Sequence, residues 1–295
     1  MEFNKSNRFN NNNENQAKQT LIHYKGEIGE FDYDPNIWEI IDNHLRFKIQ
    51  SFTSLPKNLE LPKGCIDTSY MFYYCENLSD ISALQNWDVS NVINTSRMFQ
   101  YCGKLKDLTP LQNWDTSKVE NMSHMFSGCQ DLKDISSLKN WDVSKVTNMS
   151  EMFSYCNLFL KDVSSLENWN ISNVKNICDM FSHCFNLTDL SPLENWDTSK
   201  IINISRMFSY CIRLKDLSLL QNWDTSNVKY MSGMFYNCEK IEDISPLQNW
   251  DTSKVEDMSL MFWDCEKLGC ISPLEEWDTS NVKDMSGFSG KPFLK

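Results

Sequence analysis

The chain lacks most of what several function classes require. Nowhere in its 295 residues does an apolar run approach the ~20 residues that cross a bilayer. The opening MEFNKSNRFNNNNENQAKQT has no apolar core of the kind a secretory signal carries, so neither membrane insertion nor classical export is expected. Basic residues are in deficit: 28 Lys and Arg stand against 40 Asp and Glu, and a formal charge of -12 makes nucleic acid and anionic membrane poor partners. Eleven cysteines occur without one CxxC pair, which argues against a zinc ribbon or a regular disulfide framework and for reduced thiols. Only four histidines are present, none at a fixed offset from a nucleophile, so no catalytic residue, metal or cofactor is assigned. The glycine-rich nonapeptide that wraps calcium in some solenoids is missing.

What the chain does contain is a repeat. Trp87, Trp114, Trp141, Trp169, Trp196, Trp223, Trp250 and Trp277 are spaced by 27 residues, with a single 28. Cys75, Cys102, Cys129, Cys156, Cys184, Cys211, Cys238 and Cys265 keep the same beat, which places the extra residue between Cys156 and Trp169. There it should bulge locally without breaking the stack. Read from its Trp, the unit is W-D-[VT]-S-[NK]-V-x-[ND]-M-S-x-M-F-x-x-C-x-x-L-x-D-[IL]-S-x-L-[QE]-N. The second half, with Leu, Ile or Leu, and Leu at three-residue steps, predicts a short extended strand. In the first half an Asn or Asp precedes M-S-x-M-F-x-x-C, predicting a capped helical turn or two with Met, Phe and Cys inward. A 27-residue coil cannot bury its own apolar stripe, so the coils must stack, about 4.8 Å apart, each supplying its neighbour's missing interior.

The expected organisation is a disordered Asn-rich tail over 1–20, an N-terminal cap over 21–64, a solenoid of about eight coils over 65–290, and a C-terminal tail over 291–295. Within the cap, DPNIWEIIDNHLRFKI predicts a helix, with Asp34 as cap, Pro35 at its first position and Ile37, Trp38, Ile41 and Leu45 on one face.

The runs NWDVSNV, VTNMSEMFSYC and NWDTSNVKYMSGMFYNC resemble the repeat of BspA-like leucine-rich-repeat surface proteins, over roughly three quarters of the chain. The resemblance implies a right-handed leucine-rich-repeat solenoid of α/β type, a cell-surface or secreted location, attachment to matrix or host-cell proteins, and no enzymatic activity. Asn170 stands where Asp is usual, and Cys270 and Glu276 where the other coils have Asp and Asn.

Several columns invite a role. The Asp after each Trp, and a second series running Asp80, Asp107, Asp134, Asp162, Asp189, Asp216 and Asp243, read either as Asx turns that satisfy backbone amides or as a calcium ladder. The Trp and Cys columns read as structural ladders; Cys178 and Cys270, which replace Ser and Asp of the consensus, lie near Cys184 and Cys265 and could form two local disulfides with them under oxidising conditions. The two positions before each Cys vary from coil to coil, and variation at a fixed slot suggests exposure. There Tyr74, Tyr101, Tyr155, Tyr210, Tyr236 and Trp263 form a candidate interaction stripe for a protein partner, or merely shield backbone. The Lys106, Lys133, Lys161, Lys215 and Glu242 column reads as a solvated edge. The preferred function is a non-enzymatic binding scaffold; a self-associating solenoid is the alternative, and a carbohydrate-active enzyme a third.

Overall fold

The computed structural model describes residues 5–6, 21–48, 52–157 and 159–289. Strand β1 (Lys5–Ser6) lies inside the tail expected to be disordered and pairs antiparallel with Leu21–Ile22. The rest of that tail and residues 291–295 lie outside the described residues.

The cap is built from hairpins, not from the expected helix. Strands β2 (Leu21–Gly26) and β3 (Gly29–Tyr33) pair antiparallel, as do β4 (Trp38–Ile41) and β5 (His44–Phe47). Asp34 does start a turn, accepting the amides of Asn36 on its carboxylate and of Trp38 on its carbonyl, both at 2.9 Å. The turn stops there because Asp42 and Asn43 take φ of 50° and 63°, the left-handed pair that closes a two-residue hairpin loop. Trp38 and Phe47 then cover the first coil, their rings 6.2 and 5.8 Å from that of Phe72.

The solenoid reverses both expectations for the repeat unit. The leucine half forms no strand: eight 3-10 turns recur about 27 residues apart, from Ser82–Asn86 and Thr109–Leu111 through to Ser272–Leu274. Among the described residues, strands occur only in the part before Lys48. The half expected to be helical instead carries the hydrogen bonds between coils. In the second coil the amides of Thr95, Arg97, Phe99 and Tyr101 donate to Asn121, Ser123, Met125 and Ser127 of the next, at 2.7–3.0 Å. The amides between them, on Met98, Gln100 and Cys102, close local turns onto Thr95, Arg97 and Phe99. Alternate amides therefore point along the axis and back into the coil.

This alternation needs left-handed corners. Arg97 and Tyr101 have φ of 59° and 62°, and the equivalent pair recurs at Tyr70 and Tyr74, Glu151 and Tyr155, Asp179 and His183, and Arg206 and Tyr210. Each is the third residue of a turn closed by a three-residue-back hydrogen bond, the place where a type II turn demands positive φ. The M-S-x-M-F-x-x-C spacing matches a helix, but the corners turn it into successive β-turns with Met, Phe and Cys still inward.

The interior is a set of columns. Phe99, Phe126, Phe153, Phe181, Phe208, Phe235 and Phe262 are fully buried, and neighbouring rings lie 5.6–6.1 Å apart with planes within 13°. All eight repeat Trp indoles donate Nε1–H to a Leu carbonyl at 2.8–3.2 Å, seven of them to the coil before and Trp87 to Leu59 in the segment that precedes the coils. Seven of the ladder cysteines, Cys102 to Cys265, donate Sγ–H to the preceding coil's Phe carbonyl at 3.0–3.4 Å. The cysteine column is thus more than small apolar filler, and none of the eleven cysteines is in a disulfide, Cys178 and Cys270 included. The extra residue leaves the stack unbroken, as expected: Trp169 and Cys184 still reach their partners one coil back, and Phe159 beside it is 47% exposed.

Replacing Trp141 with Phe keeps a ring in the column but removes the bond to the Leu111 carbonyl and part of the buried surface. We expect a loss of about 1–3 kcal/mol in unfolding free energy, read by chemical denaturation, with the coil period unchanged. A neutral result would show that the indole bond carries no stability.

Candidate interaction surface

The two aspartate series resolve as turns. In the series after each Trp, the Asp or Asn Oδ1 accepts the amide two residues on, at 2.9–3.2 Å, and Asn170 does so as well as the aspartates. In the second series the distances are 2.8–2.9 Å. Ser117, through its hydroxyl and then its amide, holds the Asp115 carboxyl below the ordinary range. A third column is the Asn or Asp before the M-S-x-M-F run, expected to cap a helical turn, and it caps an Asx turn instead. Asp67, Asn94, Asn121, Asn148, Asn176, Asn203, Asp257 and Asp284 make the same turn at the coil-to-coil bridge, at 2.7–3.1 Å. With every such oxygen engaged by its own backbone, these residues terminate the coil's corners.

The proposed stripe splits into two columns. Tyr74, Tyr101, Tyr155 and Tyr210 occupy the left-handed position just before Cys, whereas Tyr236 and Trp263 lie one residue earlier. Tyr74, Tyr101 and Tyr155 are 46%, 40% and 43% exposed, while Tyr210, Tyr236 and Trp263 are half-buried. Tyr210 and Tyr236 are covered by the rings beside them. His183 lies between Tyr155 and Tyr210, its centroid 4.1 and 4.2 Å from theirs at interplanar angles of 15° and 21°, and Tyr236 leans on Tyr210 at 5.3 Å. The hydrogen bond to Tyr210 raises the Tyr236 hydroxyl above its usual range. Trp263 lies over Gly287, where an added Cβ would meet its ring at 2.6 Å. The shielding reading therefore fits the later rungs and the exposed reading the earlier ones.

Beside the stripe runs a charged column the sequence reading did not single out: Tyr70, Arg97, His124, Glu151, Asp179 and Arg206, the first left-handed corner of successive coils. Its signal was the recurrence there of Asp179, Gly233 and Gly287, residue types that tolerate positive φ. The guanidiniums of Arg46 and Arg97 lie 5.3 and 5.4 Å from the Tyr70 ring centroid. Arg97 donates to Gln100 Oε1 and to His124 Nε2, both at 3.0 Å, and His124 Nδ1 faces Glu151 Oε2 at 3.0 Å. Donation by Arg97 fixes the histidine tautomer, with Nδ1–H directed to Glu151. Arginine, tyrosine and histidine thus form a pre-ordered polar face of the kind that recognises another surface.

The expected solvated edge is as read: Lys106, Lys133, Lys161, Lys215 and Glu242 are all exposed, with Glu242 bridging Lys215 and Lys267 at 3.8 and 3.0 Å.

Asp179 is the strained member of the charged column. Burial pushes its carboxyl up to about 6, Arg206 opposes the rise, and Glu151 adds to it. A raised acid costs stability while it is ionised, above about pH 6, and the cost lifts as pH falls toward the unfolded value near 3.8. Asp179→Asn, which suits positive φ, should raise the melting temperature by roughly 1–4 °C at pH 8 and leave it unchanged at pH 4. Equal effects in melts at the two pH values would show that ionisation of Asp179 is not the source.

No curated protein matches the chain. The family model described as "Mycoplasma protein of unknown function, DUF285" matches twice, over residues 66–191 and 182–291. The two segments take in the whole run of coils and well over half of the residues, and the chain therefore belongs to that DUF285 repeat family.

Proposed function

We propose that this chain is a non-enzymatic repeat scaffold that holds a protein partner on its lateral face. That face carries Tyr74, Tyr101, Tyr155, Arg97 and Arg206. The observation that carries the reading is the exposure of Tyr74, Tyr101 and Tyr155, each above one third, on backbone whose own amide is bonded to the next coil. Rings already fixed in place lose little freedom on binding, and Tyr and Arg are the residue types that anchor protein surfaces. The resemblance to BspA-like leucine-rich-repeat proteins supports the finer version, attachment at a cell surface. No helix among the described residues is long and apolar enough to cross a membrane.

A photo-crosslinking amino acid at Tyr155 should yield one discrete adduct on intact cells, lost when Tyr74 and Tyr101 become Ser at unchanged melting temperature. The same adduct from a crosslinker at Lys133, on the edge column, would overturn the assignment of the face.

Self-association is the second reading, favoured by the last described coil. Met285 is 42% exposed and Val282 half-buried there, whereas their counterparts Met258 and Val255 are fully buried. Under this reading light scattering across a dilution series shows mass rising with concentration, and Met285→Lys abolishes the rise; a constant monomer mass ends it.

A further inference from the structure

The tyrosine column behaves in two ways, and the difference comes from one glycine. From Tyr155 onward the rings stack face to face through His183 to Tyr210, which covers both faces of His183 and one face of Tyr155, although Tyr155 stays 43% exposed. Gly128 occupies the rung before, so Tyr101 has no ring to stack on. It lies across the bare Gly128 backbone, where an added Cβ would meet the ring at 2.5 Å. Tyr101 meets Tyr74 edge-on, at 5.3 Å and 64°. An edge-on contact covers part of one face of one ring of the pair and leaves the remaining faces open, and these two are among the most exposed aromatics described.

Beside them is a groove of about 380 Å³ lined by Glu76, Asn77, Gly103, Lys104, Gly128 and Gln130 along with the two tyrosines. It exists because two side chains are missing: Gly128 where most coils carry a ring or a polar group, and Gly103 where others carry Glu76, Gln130, Phe185 or Glu239. The side chains of Glu76, Asn77 and Gln130 make no hydrogen bond to another described residue, and Lys104 reaches Asp131 at 3.3 Å. Exposed aromatic faces next to planar amide and carboxylate groups in free fork geometry match one ligand chemistry well. A pyranose offers an apolar C–H face to the negative face of a ring, and a rim of hydroxyls that donate and accept at once. The volume is at the small end of ligand sites, ~300–1,000 Å³, and suits one or two sugar units. The net charge of -12, with Lys104 already paired, disfavours an acidic sugar.

We propose that this groove, between Tyr74 and Tyr101 over Gly103 and Gly128, binds a neutral pyranose oligosaccharide. The site goes beyond the protein-binding reading: it shares Tyr74, Tyr101 and the Gly128 slot with the stripe, but Gly103 and the polar rim of Glu76, Asn77, Lys104 and Gln130 belong to neither the stripe nor the charged column.

The glycine floor supplies the test. Gly103 has ordinary φ, and an added Cβ there meets only the Glu76 carbonyl at 3.8 Å, so a side chain fits without strain. Phe185, at the same slot three coils on, lies 6.0 Å from the His183 ring, which shows how a phenylalanine covers its neighbour. The full chain is titrated with N,N′-diacetylchitobiose and with lactose and read by saturation-transfer NMR. Transfer concentrated on one face of a pyranose ring is expected for at least one of them. Gly103→Phe and Tyr101→Ser each weaken binding by roughly tenfold or more at unchanged melting temperature, while Tyr210→Ser leaves it intact. No transfer from either sugar, wild-type binding in Gly103→Phe, or a proline-rich peptide occupying the groove in their place would overturn the proposal. Because the crosslink at Tyr155 is scored separately, failure of the sugar site and failure of the protein face are distinguishable.

Discussion

Half of each coil's turn amides point along the axis, and only the carbonyls of the next coil are placed to receive them. A buried amide without a partner costs on the order of 1–3 kcal/mol, so this constraint is enforced again at every rung. It fixes the 27-residue period, because a one-residue slip would misalign the whole set at once. It also explains where variation is tolerated. The single extra residue lies on the outside near Phe159, away from the Thr95-to-Tyr101 type of segment that bonds from coil to coil.

The side-chain columns follow from the backbone register. Once equivalent residues lie above one another, Phe rings stack, Trp indoles find the same carbonyl, and each thiol points at the same Phe carbonyl. Hydrophobic burial supplies the larger share of this stabilisation, and the side-chain-to-backbone bonds select Trp and Cys over residues of similar bulk. The hairpin cap repeats the interior chemistry with different parts: Trp38 and Phe47 bring to the first coil what a preceding coil would have brought.

Much of this was legible in the residues themselves. The Trp and Cys columns, the inward Met and Phe, the Asx turns and the unbroken stack at the extra residue all follow from spacing and residue chemistry. The assignment of strand and helix to the two halves did not, for a physical reason. M-S-x-M-F-x-x-C has helical spacing, yet its corners at Arg97 and Tyr101 are left-handed, and residues such as Tyr, Arg and Glu do not advertise that. Gly128, Gly233, Asn237 and Asp264 at the same two slots were the available signal. The cap failed similarly, since Asp42-Asn43 marks a hairpin loop inside what otherwise passes for an amphipathic helix. On the surface, exposure could be inferred from variation between coils. Which rings stack and which stay open could not, because the state of Tyr101 is decided by a glycine 27 residues away.

The sulfur column also sets the order in which the thiols meet an oxidant. Burial pushes the thiols of Cys75 and Cys184 up to about 12, so almost no thiolate exists at neutral pH to be attacked by peroxide or by a disulfide. Cys270 alone is exposed. Oxidising surroundings therefore reach the Cys270 thiol before any thiol of the ladder, whose sulfurs meet an oxidant only where a coil opens.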